Sequence, residues 1–337
     1  MHYTARITGV GAAFPRERIS NEELSCRLAA LNVETSDAWI RERTGISERR
    51  YSDLNGGGEH NAALASAAAL KALEMAGKSP REVDQIIVAT CSPEALLPPT
   101  ACRVQHRIGA KRAWCMDINA ACTGFVFGAV TAAQYIRSGQ TQTALVIGSE
   151  VLHPHLNWRD RSSCILFGDA AGAAVIERKP AESESGIIHW HLASDGRYGD
   201  LLSIPITPAS PAADGRHLST QVGKITMHGR EIFKVAVRTL SDLARQVLKD
   251  KDIGIEALDW FIPHQANQRI LVAVAERLGI PLAKVLINVD RFGNTSAATI
   301  PTVLDEAVRD GRIIPGNLLL LDAFGAGFTY GAMLVRW

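Results

Sequence analysis

The chain repeats itself, and the repeat constrains its fold more than any other feature. Val83-Asp-Gln-Ile-Ile-Val has a counterpart in Leu258-Asp-Trp-Phe-Ile-Pro, and Thr143-Ala-Leu-Val-Ile-Gly in Asn317-Leu-Leu-Leu-Leu-Asp, at offsets of 175 and 174 residues. Each half ends on Phe-Gly followed by a strand of small residues, from Phe167 to Ile176 and from Phe324 to Val335. Strand-like runs alternate with helical ones, which is the pattern of βαβ units and of an α/β fold. A duplicated α/β unit is the simplest account. Small residues in these strands and in the helical stretch after Cys122 suit buried helices packed closely between two sheets. The boundary is expected in the polar, turn-rich segment 179–186, which divides the chain into halves 1–180 and 181–337. Residues 205–220, with three prolines and little apolar periodicity, read as a long surface loop, and Gly56-Gly-Gly as a smaller loop tip.

Within the first half, Asp117-Ile-Asn-Ala-Ala-Cys-Thr-Gly-Phe places Cys122 where an apolar run stops and a helix begins. Phe125, Ala129, Ala132, Ala133 and Ile136 recur at helical spacing before Gly139, so 123–138 reads as a buried helix with a glycine stop. Backbone N–H groups and the positive end of the helix dipole are expected to favour the thiolate of Cys122, the form that attacks a carbonyl.

A chain of 337 residues, 47% hydrophobic, can bury a large core and hold two units. The formal charge of +1 gives no global attraction to nucleic acid or to an anionic membrane, so any basic recognition surface must be local. No stretch has the length needed to span a bilayer and no apolar secretion segment opens the chain, so a cytoplasmic protein is expected. The six cysteines include no Cys-x-x-Cys pair, which suits neither a disulfide scaffold nor a zinc ribbon. His153-Pro-His155 and His189-Trp-His191 have no third ligand at metal-site spacing, and no metal is expected.

Two further polar residues follow apolar runs where a doubly wound sheet exposes its strand ends: His264 in His-Gln-Ala-Asn, and Asn294 in Gly-Asn-Thr-Ser-Ala-Ala. Together with Trp39-Ile-Arg-Glu-Arg-Thr-Gly-Ile, Asn119-Ala-Ala-Cys-Thr-Gly-Phe and Phe324-Gly-Ala-Gly-Phe-Thr, in this order and spacing, they make the chain resemble the β-ketoacyl-acyl-carrier-protein synthase III group of the thiolase superfamily over essentially its full length. The resemblance implies a thiolase-like α-β-α-β-α layering. It also implies a decarboxylative condensation of an acyl-CoA primer with malonyl-acyl-carrier-protein, with acyl-CoA as substrate and no cofactor. Cys122 would carry the acyl group, and His264 and Asn294 would donate hydrogen bonds to the enolate. The backbone N–H groups of Cys122 and Ala326 would form a second oxyanion hole.

The same resemblance assigns Trp39, Arg43, Arg161, Arg230 and Asn267 to CoA, through stacking and guanidinium–phosphate contacts. Some relatives carry a shorter polar residue at Arg230, and Asn267 is equally suited to a capping role. Leu97 lies where relatives insert a side chain from a partner subunit into the acyl pocket, so a homodimer is implied. Lys234, Arg238 and Arg269 belong to a basic stripe, with Arg245, Lys249 and Arg277, that would dock an acidic carrier protein. A two-cysteine thiolase is excluded because no cysteine follows Cys164. A hydroxymethylglutaryl-CoA synthase would need a glutamate after the strand at 85–90, where Glu94 is displaced. A related condensing enzyme or acyltransferase of secondary metabolism, and a non-catalytic acyl-binding protein, stay open.

Overall fold

The apolar runs of the two halves become strands of two separate sheets in the computed structural model, which describes residues 3–56, 58–180, 185–207 and 222–337. The first sheet has the order Tyr3–Ala13, Ala170–Pro180, Thr143–Glu150, Gln85–Ala89, Trp114–Ile118. The second has the order Gly186–Ser194, Thr329–Arg336, Leu318–Gly325, Trp260–Pro263. The pairings correspond step for step. Gln85 lies parallel to Ala144 as Trp260 lies parallel to Leu319, an offset of 175 residues in both strands. The second of the two sequence offsets is therefore one residue short, because a run of four leucines gives no internal mark of register. The next neighbour is antiparallel in both sheets, and so is the one after it. Among the described residues the second sheet has no fifth strand, and a parallel bridge, Phe261 to Val285, stands in its place.

Strands covered on both faces read as continuous apolar runs, and Leu318 to Leu321 are all buried. Between the sheets lie the helices Gly124–Arg137 and Thr299–Arg309. Phe125, Ala129, Ile300 and Val303 share one apolar cluster with Val146 of the first sheet and Leu321 of the second. Outside the first sheet pack Asn61–Met75 and Thr100–Ile108; outside the second pack Gly229–Lys249 and Gln268–Leu278. The result is the five-layer α-β-α-β-α arrangement. Its central spacing requires glycine at 148, where a Cβ would overlap the carbonyl oxygen of Ala297.

A satellite cluster formed by Asn21–Ala29, Asp37–Thr44 and the ribbon of Glu17–Ser20 with Glu48–Tyr51 sits beside the site. Arg49, fully buried, holds it in place: its guanidinium donates to Asn21 Oδ1 at 2.7 Å and to the Ile165 carbonyl at 2.8 Å. Of the expected surface loop, residues 208–220 lie outside the described residues, as do Gly57 of the loop tip and 181–184 of the boundary segment. The flanks of the loop are joined by the Gly223 N–H donating to the Pro205 carbonyl at 2.7 Å. Among the described residues no helix is long and apolar enough to cross a membrane.

Candidate active site

Cys122 sits in a 3-10 turn, Ala121–Thr123, that runs into the central helix at Gly124. Ala121 takes a positive φ of 47°, a conformation rare outside glycine. Thr329 holds the turn down: its Oγ1 donates to the Ala120 carbonyl at 2.8 Å, and its own carbonyl accepts from Thr123 Oγ1 at 3.1 Å. The expectation of a stabilised thiolate does not survive. Burial pushes the Cys122 thiol up to about 12, a hydrogen bond from Ser296 opposes the rise, and the charge of Glu150 adds to it. Desolvation outweighs the helix end, so Cys122 rests as a thiol at neutral pH.

His264 and Asn294 meet Cys122 in one cavity of about 930 Å³. His264 ends the strand Trp260–Pro263, and burial drives its pKa down to about 3, so the imidazole is neutral. Nδ1 lies 2.8 Å from Thr299 Oγ1, whose second contact is the Ser296 carbonyl at 2.9 Å. The Thr299 hydroxyl has one proton, and when it goes to the Ser296 carbonyl, Oγ1 accepts from Nδ1–H instead. When it donates to Nδ1, Nε2 carries the ring proton and can donate into the cavity. Asn294 is anchored by its backbone, with N–H donating to Leu166 O at 2.8 Å and its carbonyl accepting from Gly168 N at 3.1 Å. Its Oδ1 accepts from Ser296 N at 2.8 Å, which leaves the Nδ2 group as its donor.

At the mouth, Trp39 lies on a helix capped by Ser36 and Gly45, with the guanidinium carbons of Arg43 and Arg161 at 4.7 and 4.3 Å from its ring centroid. Trp39, Arg43, Arg230, Lys234, Asn267 and Arg269 all line the cavity. Arg161 reaches it only through Trp39 and donates to the Glu34 carbonyl at 2.8 Å. Asn267 caps Gln268–Leu278, with Oδ1 accepting from Arg269 N and Nδ2 donating to the Arg43 carbonyl. The cap thus ties two walls of the mouth together. Gln265 is wholly structural, its side chain bonded to four backbone groups.

Arg238 is exposed on the same helix as Lys234 but does not line the cavity. Arg245 and Arg277 flank Asp242 at 3.9 and 3.6 Å, so the far end of the basic stripe carries an acid. Leu97 is 83% exposed and does not line the cavity of its own chain. Ala326 is half-buried and follows Gly325, which lines the cavity; a Cβ on Gly325 would come 2.8 Å from the Cys122 nitrogen. Glu94 accepts from Ala62 N at 2.7 Å at the start of an outer helix, a structural duty away from the cavity.

Sequence reasoning passed over Glu150 and Thr299. The signal for Glu150 was a carboxylate closing the apolar run Ala144 to Gly148 with apolar Val151 and Leu152 behind it, a placement that buries a charge. Thr299 had no signal of its own, since only the folded central helix brings it to His264.

Residues 116–196 match the family model of 3-oxoacyl-(acyl-carrier-protein) synthase III, and residues 248–337 match its C-terminal model. A beta-ketoacyl-(acyl-carrier-protein) synthase III of Alkalilimnicola ehrlichii is 48% identical over 337 residues, covering 99% of both chains. Among solved structures, 3-oxoacyl-(acyl-carrier-protein) synthase III from Aquifex aeolicus is 40% identical with a TM-score of 0.88, covering 99% of this chain and 100% of the other. The priming beta-ketosynthase of the R1128 polyketide pathway is 32% identical with a TM-score of 0.88, covering 99% and 96%.

Proposed function

The chain belongs to the 3-oxoacyl-acyl-carrier-protein synthase III family, and from that premise we propose that Cys122 is its acyl acceptor, with His264 and Asn294 the donors that stabilise the enolate. The protein is an acyltransferase that condenses an acyl-CoA primer with malonyl-acyl-carrier-protein to give 3-oxoacyl-acyl-carrier-protein. The observation that carries the residue assignment is the convergence of these three side chains on a single cavity whose mouth is walled by Trp39, Arg43 and Arg230.

In the first half-reaction Cys122 gives up its thiol proton as Sγ attacks the thioester carbon, the C–S bond to CoA breaks, CoA leaves as its thiol carrying that proton, and the acyl group stays on the enzyme. The N–H groups of Cys122 and Ala326 hold the tetrahedral oxyanion. Trp39, Arg43, Arg161 and Arg230 grip the nucleotide and phosphates of CoA, while Asn267 holds the mouth in shape. In the second half-reaction malonyl loses CO₂, and its electron pair becomes an enolate whose oxygen accepts from His264 Nε2 and Asn294 Nδ2. The enolate carbon attacks the acyl carbon and Cys122 leaves. A neutral imidazole suffices, because decarboxylation needs no strong base.

The acidic carrier docks on Lys234, Arg238 and Arg269 beside the mouth. The working unit is a homodimer in the cytoplasm, in which the exposed Leu97 of each subunit closes the other's acyl pocket. Priming of a polyketide is the second reading, favoured by the likeness to the R1128 enzyme.

The test is product formation from acetyl-, butyryl-, isobutyryl- and octanoyl-CoA with malonyl-acyl-carrier-protein, for the unmodified protein, Leu97→Ala and Leu97→Phe. Short primers identify initiation of fatty acid synthesis and long or branched ones the second reading. Leu97→Ala should shift preference to larger primers, each added methylene gaining about 0.8 kcal/mol on burial, and Leu97→Phe toward acetyl. An unchanged ranking removes Leu97 from the pocket.

A further inference from the structure

Ser296 stands between the Asn294 amide and a buried carboxylate for which the condensation chemistry has no use. It is a buried serine in the turn before the second central helix, yet its φ is 49°, in the left-handed region that residues other than glycine rarely enter. Its N–H donates to Asn294 Oδ1 at 2.8 Å, and its hydroxyl donates to Glu150 Oε1 at 3.0 Å.

Glu150 ends the strand Thr143–Glu150 and has no exposed surface. Its other contacts come from donors as well: Ser92 Oγ at 2.5 Å, Cys91 N at 3.1 Å, Cys91 Sγ at 3.3 Å and Thr90 Oγ1 at 3.3 Å. Ser92 Oγ already accepts from Val151 N at 2.9 Å, and Thr90 Oγ1 from Asn61 Nδ2 at 3.0 Å, so both hydroxyl protons go to Glu150. Both carboxylate oxygens must therefore accept, which a carboxamide cannot do. Neither Glu150 nor Ser296 lines the cavity, and they are 146 positions apart in the chain.

We propose that Glu150 is a positioning residue for the enolate donor: by holding the Ser296 hydroxyl it keeps Ser296 in the left-handed conformation from which its N–H fixes the Asn294 amide. A strained backbone persists where its surroundings over-determine it. Here the two anchors lie on either side of one torsion. The N–H is tied to Asn294, and beyond Cα the hydroxyl is tied to Glu150. Relaxing φ rotates one against the other, so either the amide loses its partner or a buried carboxylate loses a donor, and both losses are costly.

The inference rests on Asn294 donating to the enolate. Its test is the single-turnover rate of each half-reaction, acylation by acetyl-CoA and condensation of pre-acylated enzyme with malonyl-acyl-carrier-protein. The proteins compared are the full chain, Ser296→Ala, Ser296→Gly, Glu150→Gln, Glu150→Gln combined with Ser296→Gly, and Asn294→Ala. Ser296→Ala removes the anchor but keeps the strained Cβ, and should slow condensation about tenfold or more while acylation changes by less than about twofold. Ser296→Gly loses the same hydroxyl but adopts a positive φ without steric cost, and should regain most of the condensation rate. Glu150→Gln should slow condensation when residue 296 is serine and change it by less than about twofold when it is glycine, because its effect runs through that torsion. Should Glu150→Gln fail to fold, the alanine and glycine variants of Ser296 decide alone. Equal loss in those two variants, equal losses in both half-reactions, or normal condensation by a folded Glu150→Gln overturns the positioning role. Slow condensation by Asn294→Ala beside normal Ser296 variants overturns it alone, whereas normal condensation by Asn294→Ala overturns the donor assignment and this inference with it.

Discussion

In the proposed mechanism His264 and Asn294 serve the second half-reaction and not the first. Replacing either by alanine should leave acylation of Cys122 intact and slow condensation by about two to three orders of magnitude, the usual effect of losing one oxyanion donor. Because burial lowers the His264 pKa to about 3, protonation of the ring sets in only as pH falls toward that value. Condensation should therefore show no acid limb near the ordinary imidazole pKa of about 6.5. Single-turnover condensation of pre-acylated enzyme between about pH 5 and 8 measures both effects, and normal condensation by either variant would end that residue's role. His264 was legible in the sequence as a polar residue at the end of an apolar strand, whereas Asn294 follows the short helix Val289–Phe292 and Gly293 and was legible only through the Gly-Asn-Thr-Ser-Ala-Ala motif. The state of the Cys122 thiol was not. It depends on desolvation by layers remote in the chain, which local helix position does not report.

At the scale of elements, the turn carrying Cys122 is wedged against the end of the strand Leu318–Gly325. A Cβ on Gly325 would approach the Cys122 nitrogen to 2.8 Å and Thr329 Oγ1 to 3.0 Å, where backbone has no room to yield. Gly325→Ala should therefore slow acylation by about a hundredfold or more by displacing an oxyanion donor, while thermal unfolding stays cooperative. A normal acylation rate would show that the turn tolerates the shift. On the helix Gly229–Lys249, Lys234 faces the mouth, whereas Arg245 turns to Asp242 and the Arg277 carbonyl. The spacing of basic residues predicted a stripe, but charge pairs formed across two helices are invisible to spacing within one. Lys234→Glu and Arg269→Glu should weaken reaction with malonyl-acyl-carrier-protein, spare transfer from acyl-CoA, and do so less at high salt. Equal loss with both substrates would mean damage to the pocket.

For the whole molecule, the duplication is what made the fold readable. Two βαβ units of similar pattern leave two apolar sheet faces, and small residues such as Gly148 mark where a shared helical layer must approach. Contacts between distant segments were beyond reach, because Glu150 with Ser296 and Ala120 with Thr329 cross the halves, His264 meets Thr299 within the second half, and no local periodicity connects any of these segments. The central claim is that this assembly stores an acyl group on Cys122 and releases it to a malonyl-derived enolate. It is tested most directly by intact and peptide mass measurement after incubation with acyl-CoA, before and after addition of malonyl-acyl-carrier-protein. The account predicts one acyl mass on the peptide bearing Cys122, none in Cys122→Ala, and its complete discharge when the second substrate arrives. An acyl group carried instead by Cys91, Cys102 or Cys115, or one on Cys122 that malonyl-acyl-carrier-protein leaves in place, would contradict it.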